Sequence, residues 1–255
     1  PKELIGIDNN ESALFFQDQE NSDNDRASFF VTDIRDKDAI LDQMRGIDIV
    51  FHAAALKHVI LCERSPTQTV QTNIKGVQNI ISAANFNNVE IVIFTSSDKA
   101  VNPTNVMGTS KLMGERLMTA AFNASCGNGQ KTIFTSTRFG NVLGSNGSVI
   151  PIFRNQISKG GPVTLTDKNM TRFVMSVQES VRLIIDSAEQ AKGGEVFVTK
   201  MPVIRIEDLA IAMIEELAPV YGRKPEDIEI VEIGSKPGEK LYEELMSTEE
   251  TRRTI

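Results

Sequence analysis

The chain has 255 residues, of which 40% are hydrophobic, enough to bury the core of one large domain or of a domain with a smaller lobe. Its formal net charge of −7 argues against binding to nucleic acid or a membrane surface, because both are polyanionic. The two cysteines, Cys62 and Cys126, match no metal-binding spacing and form no disulfide framework, so we expect no metal site and a reducing, cytoplasmic environment. No apolar run approaches the roughly 18 residues of a membrane-spanning helix, so no membrane segment is predicted in this chain.

Short apolar runs alternate with longer amphipathic stretches through residues 1–139. The runs are rich in β-branched or aromatic residues and are bounded by polar ones, which is typical of buried parallel strands. Strands are predicted at Leu4–Ile7, Ser28–Val31, Ile49–His52, Ile91–Phe94 and Thr132–Thr137, and helices at Glu11–Gln17, Asp36–Arg45, Pro66–Asn85 and Met107–Ala121. The alternation predicts the α/β class, with a doubly wound parallel sheet of the Rossmann type.

Glycine and proline become frequent after Phe139, and the chain breaks into loops around shorter elements. Helices are predicted at Ile150–Ser158, Gln178–Gln190 and Ile206–Leu217, and short strands at Glu195–Val198 and Ile228–Ile233. We interpret residues 1–139 plus 174–200 as a Rossmann domain, and residues 140–173 plus 201–255 as a smaller α/β lobe that binds substrate.

A dinucleotide-binding sheet normally begins with a strand and a glycine-rich turn that holds the pyrophosphate at a helix N-terminus. No Gly-x-Gly-x-x-Gly signature occurs here, yet Leu4–Asp8 looks like the second strand of such a fold. Asp8 would then accept hydrogen bonds from the adenosine ribose. We therefore expect the first strand–loop–helix unit, about 30 residues, to be missing from this sequence. In the alternative interpretation, the fold never used a nucleotide and Asp8 only ends a strand.

A hydroxyl, a carboxylate and an amine follow one another at the end of a predicted strand, in Ser97, Asp98 and Lys99. Ligands of open α/β sheets bind at this end of the strands. Lys111 lies four residues into the next predicted helix, so the group could supply proton donors, proton acceptors and a field that favours an alkoxide. The alternative is an ordinary loop salt bridge between Asp98 and Lys99, with Lys111 solvated.

The segment from His52 to His58 also follows a predicted strand. Its three alanines, at positions 53 to 55, allow a flat ligand to approach the backbone closely. Lys57 and His58 could then reach anionic or hydroxyl groups. The alternative is a tight packing turn between strand and helix, and for His52 itself we favour a buried, hydrogen-bonded histidine.

The predicted lobe contains a segment, from Arg138 to Val149, in which asparagine and glycine backbone groups precede a helix and could receive an anion. Arg172 and Lys236 lie in two further segments and add cations that could bind a diphosphate. Taken singly, each of these basic residues is better explained as solvated surface.

Taken in order, these segments resemble motifs of the extended short-chain dehydrogenase/reductase superfamily. The narrower resemblance is to the UDP-N-acetylglucosamine 4,6-dehydratases of bacterial surface-polysaccharide and protein-glycan biosynthesis, and it extends from Leu4 to about Glu244. The segments that carry it are His52–His58, Ser97–Ala100, Asn102–Met107, Arg138–Val142 and Pro237–Glu239.

The resemblance implies roles residue by residue. Ser97, Asp98 and Lys99 match the Ser/Thr-Asp-Lys of the dehydratase active site, and Lys111 matches the lysine of the superfamily's Tyr-x-x-x-Lys pair. The implied cofactor-binding residues are Asp8, Asp33, Ile34, Ala53, Ala54, Ala55 and Lys111. The residues implied to hold the UDP-sugar substrate are Asn141, Arg172, Lys236 and Glu239, beside Lys57 and His58; Lys236 stands where the family usually has arginine.

Met107 occupies the position of the superfamily's catalytic tyrosine, although a thioether cannot usefully donate or accept a proton. The larger, membrane-anchored branch of the dehydratases has methionine here, and the rest of this segment resembles that branch. The resemblance therefore implies a cytoplasmic protein, or the cytoplasmic domain of a membrane-anchored one, and a homo-oligomer.

The implied reaction oxidises C4 of the hexose, eliminates water across C5 and C6, and returns the hydride to C6. Lys99 would be the base at C5 and Asp98 the acid that assists loss of the C6 hydroxyl. Ser97 would bond the C4 oxygen, while Lys111 would orient the nicotinamide ribose and bias nearby pKa values. A carboxylate at Asp8 favours NAD, with NADP as the alternative.

Two other functions stay open. A UDP-sugar 4-epimerase would share the fold, but it would be expected to keep tyrosine at position 107 and has less need of adjacent Asp98 and Lys99. A non-catalytic nucleotide-sugar-binding protein would be consistent with Met107 and with the absent glycine-rich loop. The intact set of Ser97, Asp98 and Lys99 opposes that interpretation.

Overall fold

Strands and helices alternate along the first 139 residues of the computed structural model, which describes residues 1–127, 132–145, 147–235 and 237–254. A π-helical segment, Val70–Lys75, joins two helices, and a 3₁₀ turn, Asp98–Ala100, follows a central strand. The elements are β1 (Leu4–Asp8), α1 (Glu11–Glu20), β2 (Ala27–Val31), α2 (Lys37–Gln43), β3 (Ile49–His52), α3 (Val59–Arg64), α4 (Pro66–Thr69), α5 (Gly76–Asn87), β4 (Ile91–Ser97), α6 (Val106–Gly127) and β5 (Ile133–Phe139).

Polar side chains fix where the first helices begin. Asn10 accepts a hydrogen bond from the Ala13 N–H at 3.1 Å, and Asp36 accepts from the N–H groups of Asp38 and Ala39. Such caps satisfy donors that have no partner inside the helix. Local sequence therefore sets the strand-to-helix turns at the edge of the sheet.

The central sheet has the order β3-β4-β5-β9, with all neighbours parallel, and β9 is the short strand Val196–Phe197. β1 and β2 form a separate parallel pair. α6 and α8 (Val177–Gln190) both contact β4 and β5, and a core of apolar side chains from α2, α5, α6 and the sheet lies beneath. Because the central strands are parallel, the ends of β3, β4 and β5 meet at one edge.

The remaining elements, apart from α8 and β9, are short strands and helices, which are called the lobe from here on. Its elements are β6 (Asn141–Val142), α7 (Val149–Lys159), β7 (Val163–Leu165), β8 (Thr171–Met175), β10 (Val203–Arg205), α9 (Ile206–Leu217) and β11 (Ile230–Glu232). They form a three-stranded sheet, β10-β8-β6, and a two-stranded sheet, β11-β7. A second core packs α7 and α9 around β7.

The predicted Rossmann-like α/β architecture is confirmed, and every predicted strand and helix is found. Four strands and one helix were not predicted: β6, β7, β8, β10 and α3. All are two to six residues long, too short to show a periodic pattern. Because β8 extends to Met175, the lobe sheet reaches slightly beyond the predicted domain boundary at 174. Within the described ranges, no helix combines the length and the apolar character needed to cross a membrane.

Candidate active site

A cleft of about 830 Å³ lies between the ends of β3, β4 and β5 and the lobe. Its floor is made by residues that follow the central strands, and its opposite wall by α7, β8 and the start of α9. The predicted site residues that line it are Ala53, Ala55, Lys57, His58, Ser97, Lys99, Met107, Lys111, Asn141, Arg172 and Glu239. The strand-end motifs and the lobe motifs therefore meet in one place.

Lys99 presents its amine to this cleft. β4 ends at Ser97, whose Oγ accepts a hydrogen bond from the Lys99 N–H at 3.3 Å and starts the 3₁₀ turn. The Lys99 Nζ then donates to Asp98 Oδ1 at 2.9 Å and to Asn141 Oδ1 at 3.0 Å. Side chains from the Rossmann domain and the lobe thus hold the amine from both sides.

Asp98 lies behind Lys99 and is fully buried. Its Oδ1 accepts hydrogen bonds from Ser97 Oγ and from Lys99 Nζ, both at 2.9 Å, whereas its Oδ2 makes none with the described residues. Asp98 does not itself line the cleft, in contrast to Ser97 and Lys99. The carboxylate is connected to the cleft through these two neighbours.

The start of α6 is packed tightly against the Asp98–Ala100 turn. Val106 N–H donates to Glu63 Oε1 at 2.6 Å, and Gly108 N–H donates to Asn105 Oδ1 at 2.7 Å. A Cβ at Gly108 would collide with the carbonyl oxygen of Lys99. The helix therefore approaches Lys99 as closely as it does only because position 108 is glycine.

Met107 and Lys111 project from this first part of α6. Met107 is 3% exposed and presents a thioether to the cleft. Lys111 is buried, donates from Nζ to the Thr95 carbonyl oxygen at 2.7 Å, and lies 4.8 Å from the Phe94 ring centre. Burial lowers the pKa of Lys111 to about 8, against the opposing effect of Glu115.

The predicted cofactor-binding residues fall into two groups. Ala53 and Ala55 line the cleft, while the exposed Ala54 is not among its lining residues. Asp8 is exposed at the end of β1, and its Oδ1 accepts from the Asn10 N–H at 2.8 Å. Asp33, after β2, is bonded to Arg35, and this hydrogen bond is the main cause that lowers the Asp33 pKa.

The side chain of Ile34 lies in the hydrophobic core rather than at a surface where it could cover a ligand. It is 7% exposed, packs in the core, and lies where a Cβ on Gly76 would touch it. Its carbonyl oxygen accepts from Asn79 Nδ2 at 2.9 Å. The role of Ile34 in cofactor binding therefore remains a prediction that its side-chain packing does not support.

Five of the predicted substrate-binding residues line the cleft: Lys57, His58, Asn141, Arg172 and Glu239. Arg172 lines it, but its guanidinium donates to three main-chain carbonyl oxygens, those of Thr171, Lys240 and Leu241. Glu239 Oε2 is buried without a partner among the described residues. Lys236 falls outside the described part of the chain.

Lys57 and His58 follow β3 on the cleft side and are exposed. A Cβ on Gly147 would touch the His58 ring, so this histidine lies against the loop that precedes α7. His52 is buried, as predicted, but its Nε2 has no partner among the described residues rather than a hydrogen bond. Burial, with a smaller effect of Lys111, lowers the pKa of His52 to about 3, so the ring is neutral at physiological pH.

Glu243 is a charged residue of the cleft that was not predicted from the sequence. It lines the cleft, its side chain is 3% exposed, and its Oε1 lies 3.6 Å from Lys99 Nζ. The family resemblance extends as far as this segment, but none of its motifs includes Glu243. The charged residues around Glu243 in the sequence are typical of an exposed surface segment. The signal available in the sequence was only its position four residues after Glu239.

Solved structures share this architecture. Pen from Bacillus thuringiensis has a TM-score of 0.94 at 46% identity, covering 99% of this chain and 76% of Pen. DesIV, a dTDP-glucose 4,6-dehydratase from Streptomyces venezuelae solved with NAD and TYD bound, has a TM-score of 0.81 at 21% identity, covering 98% and 81%. A UDP-N-acetylglucosamine 4-epimerase from Methanobrevibacter ruminantium has a TM-score of 0.78 at 21% identity, covering 99% and 84%. The chain therefore has the fold of the extended short-chain dehydrogenases/reductases.

The chain belongs to the polysaccharide biosynthesis protein family, which it matches over residues 1–255. An uncharacterized membrane protein of Methanocaldococcus jannaschii is 54% identical over 251 residues, 98% of this chain and 74% of that protein. A UDP-glucose 4-epimerase of Rickettsia akari is 44% identical over 89% of this chain and 64% of its own length. The capsular polysaccharide biosynthesis protein CapD of Staphylococcus aureus is 41% identical over 98% and 42%, so the chain spans less than two thirds of these last two relatives.

Proposed function

We propose that the protein catalyses the NAD-dependent dehydration of a UDP-N-acetylhexosamine, UDP-N-acetylglucosamine in the first instance, to its 4-keto-6-deoxy sugar. The product would enter synthesis of a surface polysaccharide or glycan. The observation that carries the proposal is the Lys99 amine, which faces the cleft and is bonded at 2.9 Å to the fully buried carboxylate of Asp98. The pair provides a base and an acid at one point of the cleft.

The residues present fit a nicotinamide dinucleotide. The exposed carboxylate of Asp8 suits ribose hydroxyls, the small side chains of Ala53 and Ala55 leave room for a flat ring, and Lys111 brings a buried donor to the end of β4. Solved relatives of the same fold carry NAD in their names, which supports the same choice here. When bound, this cofactor supplies the acceptor and later the donor of a hydride.

The protein's own groups would then move the protons. For Lys99 to accept the C5 proton it must first be neutral, and the 2.9 Å bond to Asp98 Oδ1 is the path by which it can give up its proton. Asp98 in its acid form would supply the proton that the departing C6 hydroxyl needs. Because Asp98 does not line the cleft, that proton would pass through the Ser97 hydroxyl or the Lys99 amine, both bonded to Oδ1.

The remaining groups would orient and bias the reaction. Ser97 would bond the C4 oxygen, and Lys111 would hold the nicotinamide ribose and place a positive charge near the developing C4 alkoxide. After elimination, Lys99 would return its proton to C5 as the hydride adds to C6. The Asp98–Lys99 pair would then regain one proton from solvent, which equals the proton that the C4 hydroxyl releases when it is oxidised. Met107 would contribute shape alone, since its thioether moves no proton.

A UDP-sugar 4-epimerase is the second candidate, favoured by the Rickettsia relatives of that name at 44% identity. It would use the same oxidation at C4, but it would have no use for a base at C5. Met107 speaks against it, because an epimerase of this superfamily would be expected to keep tyrosine at this position.

The two candidates are separated by the mass of the product. The protein is incubated with NAD⁺ and UDP-N-acetylglucosamine, and the nucleotide sugars are analysed by mass spectrometry. The dehydratase proposal predicts loss of one water from the sugar, whereas epimerisation leaves the mass unchanged. A product of unchanged mass, or none from any UDP-N-acetylhexosamine, would refute it.

A further inference from the structure

The C-terminal segment brings a second carboxylate to Lys99. Glu243 lies beyond the last strand, yet its side chain is 3% exposed and lines the cleft. Its Oε1 is 3.6 Å from Lys99 Nζ, and its Oε2 is 3.8 Å from Lys240 Nζ without a hydrogen bond among the described residues. One oxygen of this carboxyl group therefore lies near the Lys99 amine, and the other has no hydrogen-bond donor among the described residues.

The segment that carries Glu243 is held firmly in place. Asn105 Nδ2 donates to the Gly238 carbonyl oxygen at 2.8 Å, and Asn102 Nδ2 donates to Glu244 Oε2 at 2.8 Å. Arg172 donates to the carbonyl oxygens of Lys240 and Leu241. These contacts hold residues before and after Glu243 in the sequence, so the backbone that carries Glu243 is fixed and its carboxyl group is positioned near Lys99.

Several charged groups face Glu243. Lys99 and Asp98 do so from the turn after β4, Arg172 from β8, and Lys240 from the same segment as Glu243. Burial raises the pKa of Glu243, and Asp98 adds to this effect, whereas Lys99, Arg172 and Lys240 oppose it. Arg172 and Lys240 already donate to main-chain oxygens, while Lys99 projects into the cleft.

We infer that Glu243 is a positioning residue for Lys99, which holds the amine at the cleft and shares with Asp98 the task of taking its proton. The inference rests on the proposed function, since the position of Lys99 matters only if its amine reacts. With a carboxyl group on either side, Lys99 Nζ is fixed between Asp98, Asn141 and Glu243 rather than drawn toward Asp98 alone.

The kinetic test compares two neighbouring glutamates. Glu243→Gln removes the charge beside Lys99, while the control Glu244→Gln removes an equal charge from a side chain that bonds Asn102 instead. Glu243→Gln should lower kcat by about 10- to 100-fold with KM for the nucleotide sugar within about twofold, because a misplaced reactive group costs rate more than binding. The acidic limb of the pH–rate profile should also shift to lower pH, since the ammonium form of Lys99 loses a stabilising charge. Glu243→Asp should recover part of kcat.

A second measurement needs no substrate. Lysines are reductively methylated with ¹³C, the Lys99 signal is assigned by its loss in Lys99→Met, and its titration is followed by NMR. Glu243→Gln should lower the titration midpoint of Lys99 by about one pH unit, and Glu244→Gln should leave it unchanged. A shifted midpoint in a protein that releases no dehydrated sugar would uphold the positioning role and reject the proposed function. An unshifted midpoint, or unchanged kcat, would overturn the inference; if Glu243→Gln does not fold, Glu243→Ala, which also removes the charge, replaces it in both measurements.

Discussion

Two charge clusters lie near the ends of neighbouring strands. Each contains one cation and two carboxylates, but the two clusters differ in their hydrogen bonds. The Lys99 cluster consists of Lys99, Asp98 and Glu243. The Arg138 cluster consists of Arg138 near the end of β5, Glu115 on α6 and Glu250 on the C-terminal segment. Each joins a cation beside a central strand to a carboxylate from within the Rossmann domain and to another from the C-terminal segment.

The Arg138 cluster is closed. Its guanidinium makes four hydrogen bonds of 2.7–3.0 Å to Glu115 and Glu250 and one more to the Leu245 carbonyl oxygen. Burial disfavours the charged form, but the hydrogen bonds that Arg138 donates to both glutamates outweigh it and raise the pKa of Arg138. Its donors are therefore used within the protein, and the cluster serves to hold the C-terminal segment on the sheet.

The Lys99 cluster is open. One carboxylate lies at 2.9 Å and the other at 3.6 Å, and both Asp98 Oδ2 and Glu243 Oε2 lack donors among the described residues. Unused acceptors are costly for stability when buried, but they are what a group needs in order to receive a proton during a reaction. In this comparison, the cluster whose charges are fully hydrogen-bonded holds the structure together, and the incompletely bonded cluster beside the cleft is the one for which catalysis is proposed.

The largest effect is expected at the open cluster. Lys99→Met should reduce the rate of keto-sugar formation by about 10²- to 10⁴-fold, because it removes the proposed base. It should also lower the urea midpoint, because the buried Asp98 carboxylate loses its cation. Initial rates with saturating NAD⁺ measure this, and Lys37→Met, at an exposed lysine, is the control. Near-normal turnover in Lys99→Met would remove the distinction between the two clusters.

At the closed cluster the expected effect is on stability. Glu115→Gln should lower the free energy of unfolding by about 3–5 kcal/mol, because it leaves a buried guanidinium without one of its two charged partners. Urea denaturation measures the change, with Glu216→Gln, at an exposed glutamate of α9, as the matched control. If the two variants are equally stable, the Arg138 cluster is not the support that its bonding indicates.

Lys111 lies on α6 between the two clusters, one turn before Glu115. Its folded-state pKa of about 8 is below the unfolded value of 10.5, so the unfolded chain holds the proton between these values. The free energy of unfolding should therefore rise by roughly 3 kcal/mol as pH increases from 8 to 10.5, relative to Lys111→Met. Urea titrations of both proteins at pH 7 and pH 10 test this, and parallel pH dependences would contradict it.

The smallest effect is expected at Glu250, whose side chain is 31% exposed. The Arg138 hydrogen bond is the main cause that lowers the Glu250 pKa to about 2, from an ordinary value of 4.5. Glu250→Gln should cost about 1 kcal/mol at pH 7, because solvent screens the pair. In the unsubstituted protein this contribution is present above pH 4.5 and is lost as pH falls toward 2. Glu249→Gln, which removes an exposed pair with Arg253, should change stability less.

Much of the Rossmann domain could be predicted from sequence. β3 was predicted without error, and β4 began as predicted at Ile91, since both are continuous apolar runs. Only β4 is buried as predicted, because Ile49 and Phe51 of β3 are exposed. The lobe strands other than β11 could not be predicted in the same way. β6 pairs with β8, and β7 with β11, across long stretches of chain, so their two to five residues carry no local pattern.

The candidate site could also be predicted only in part. Lys99 and Lys111 could be placed in one cleft because one follows a predicted strand and the other lies in the helix after it. Their distance from Glu243 could not, because that contact depends on how the C-terminal segment folds back over the turn after β4. The burial of Asp98 behind Lys99 could not be predicted from the sequence either, because adjacent residues of a turn can face in opposite directions.

The return of the C-terminal segment to the sheet has a consequence for the order of assembly. A ribosome releases Asp98 and Lys99 long before Glu243 and Glu250, yet both clusters need these late residues. The nascent chain can complete neither cluster until nearly all of the residues described here have emerged. Contacts of such long sequence separation form late and slowly, so a competent cleft would be among the final products of folding.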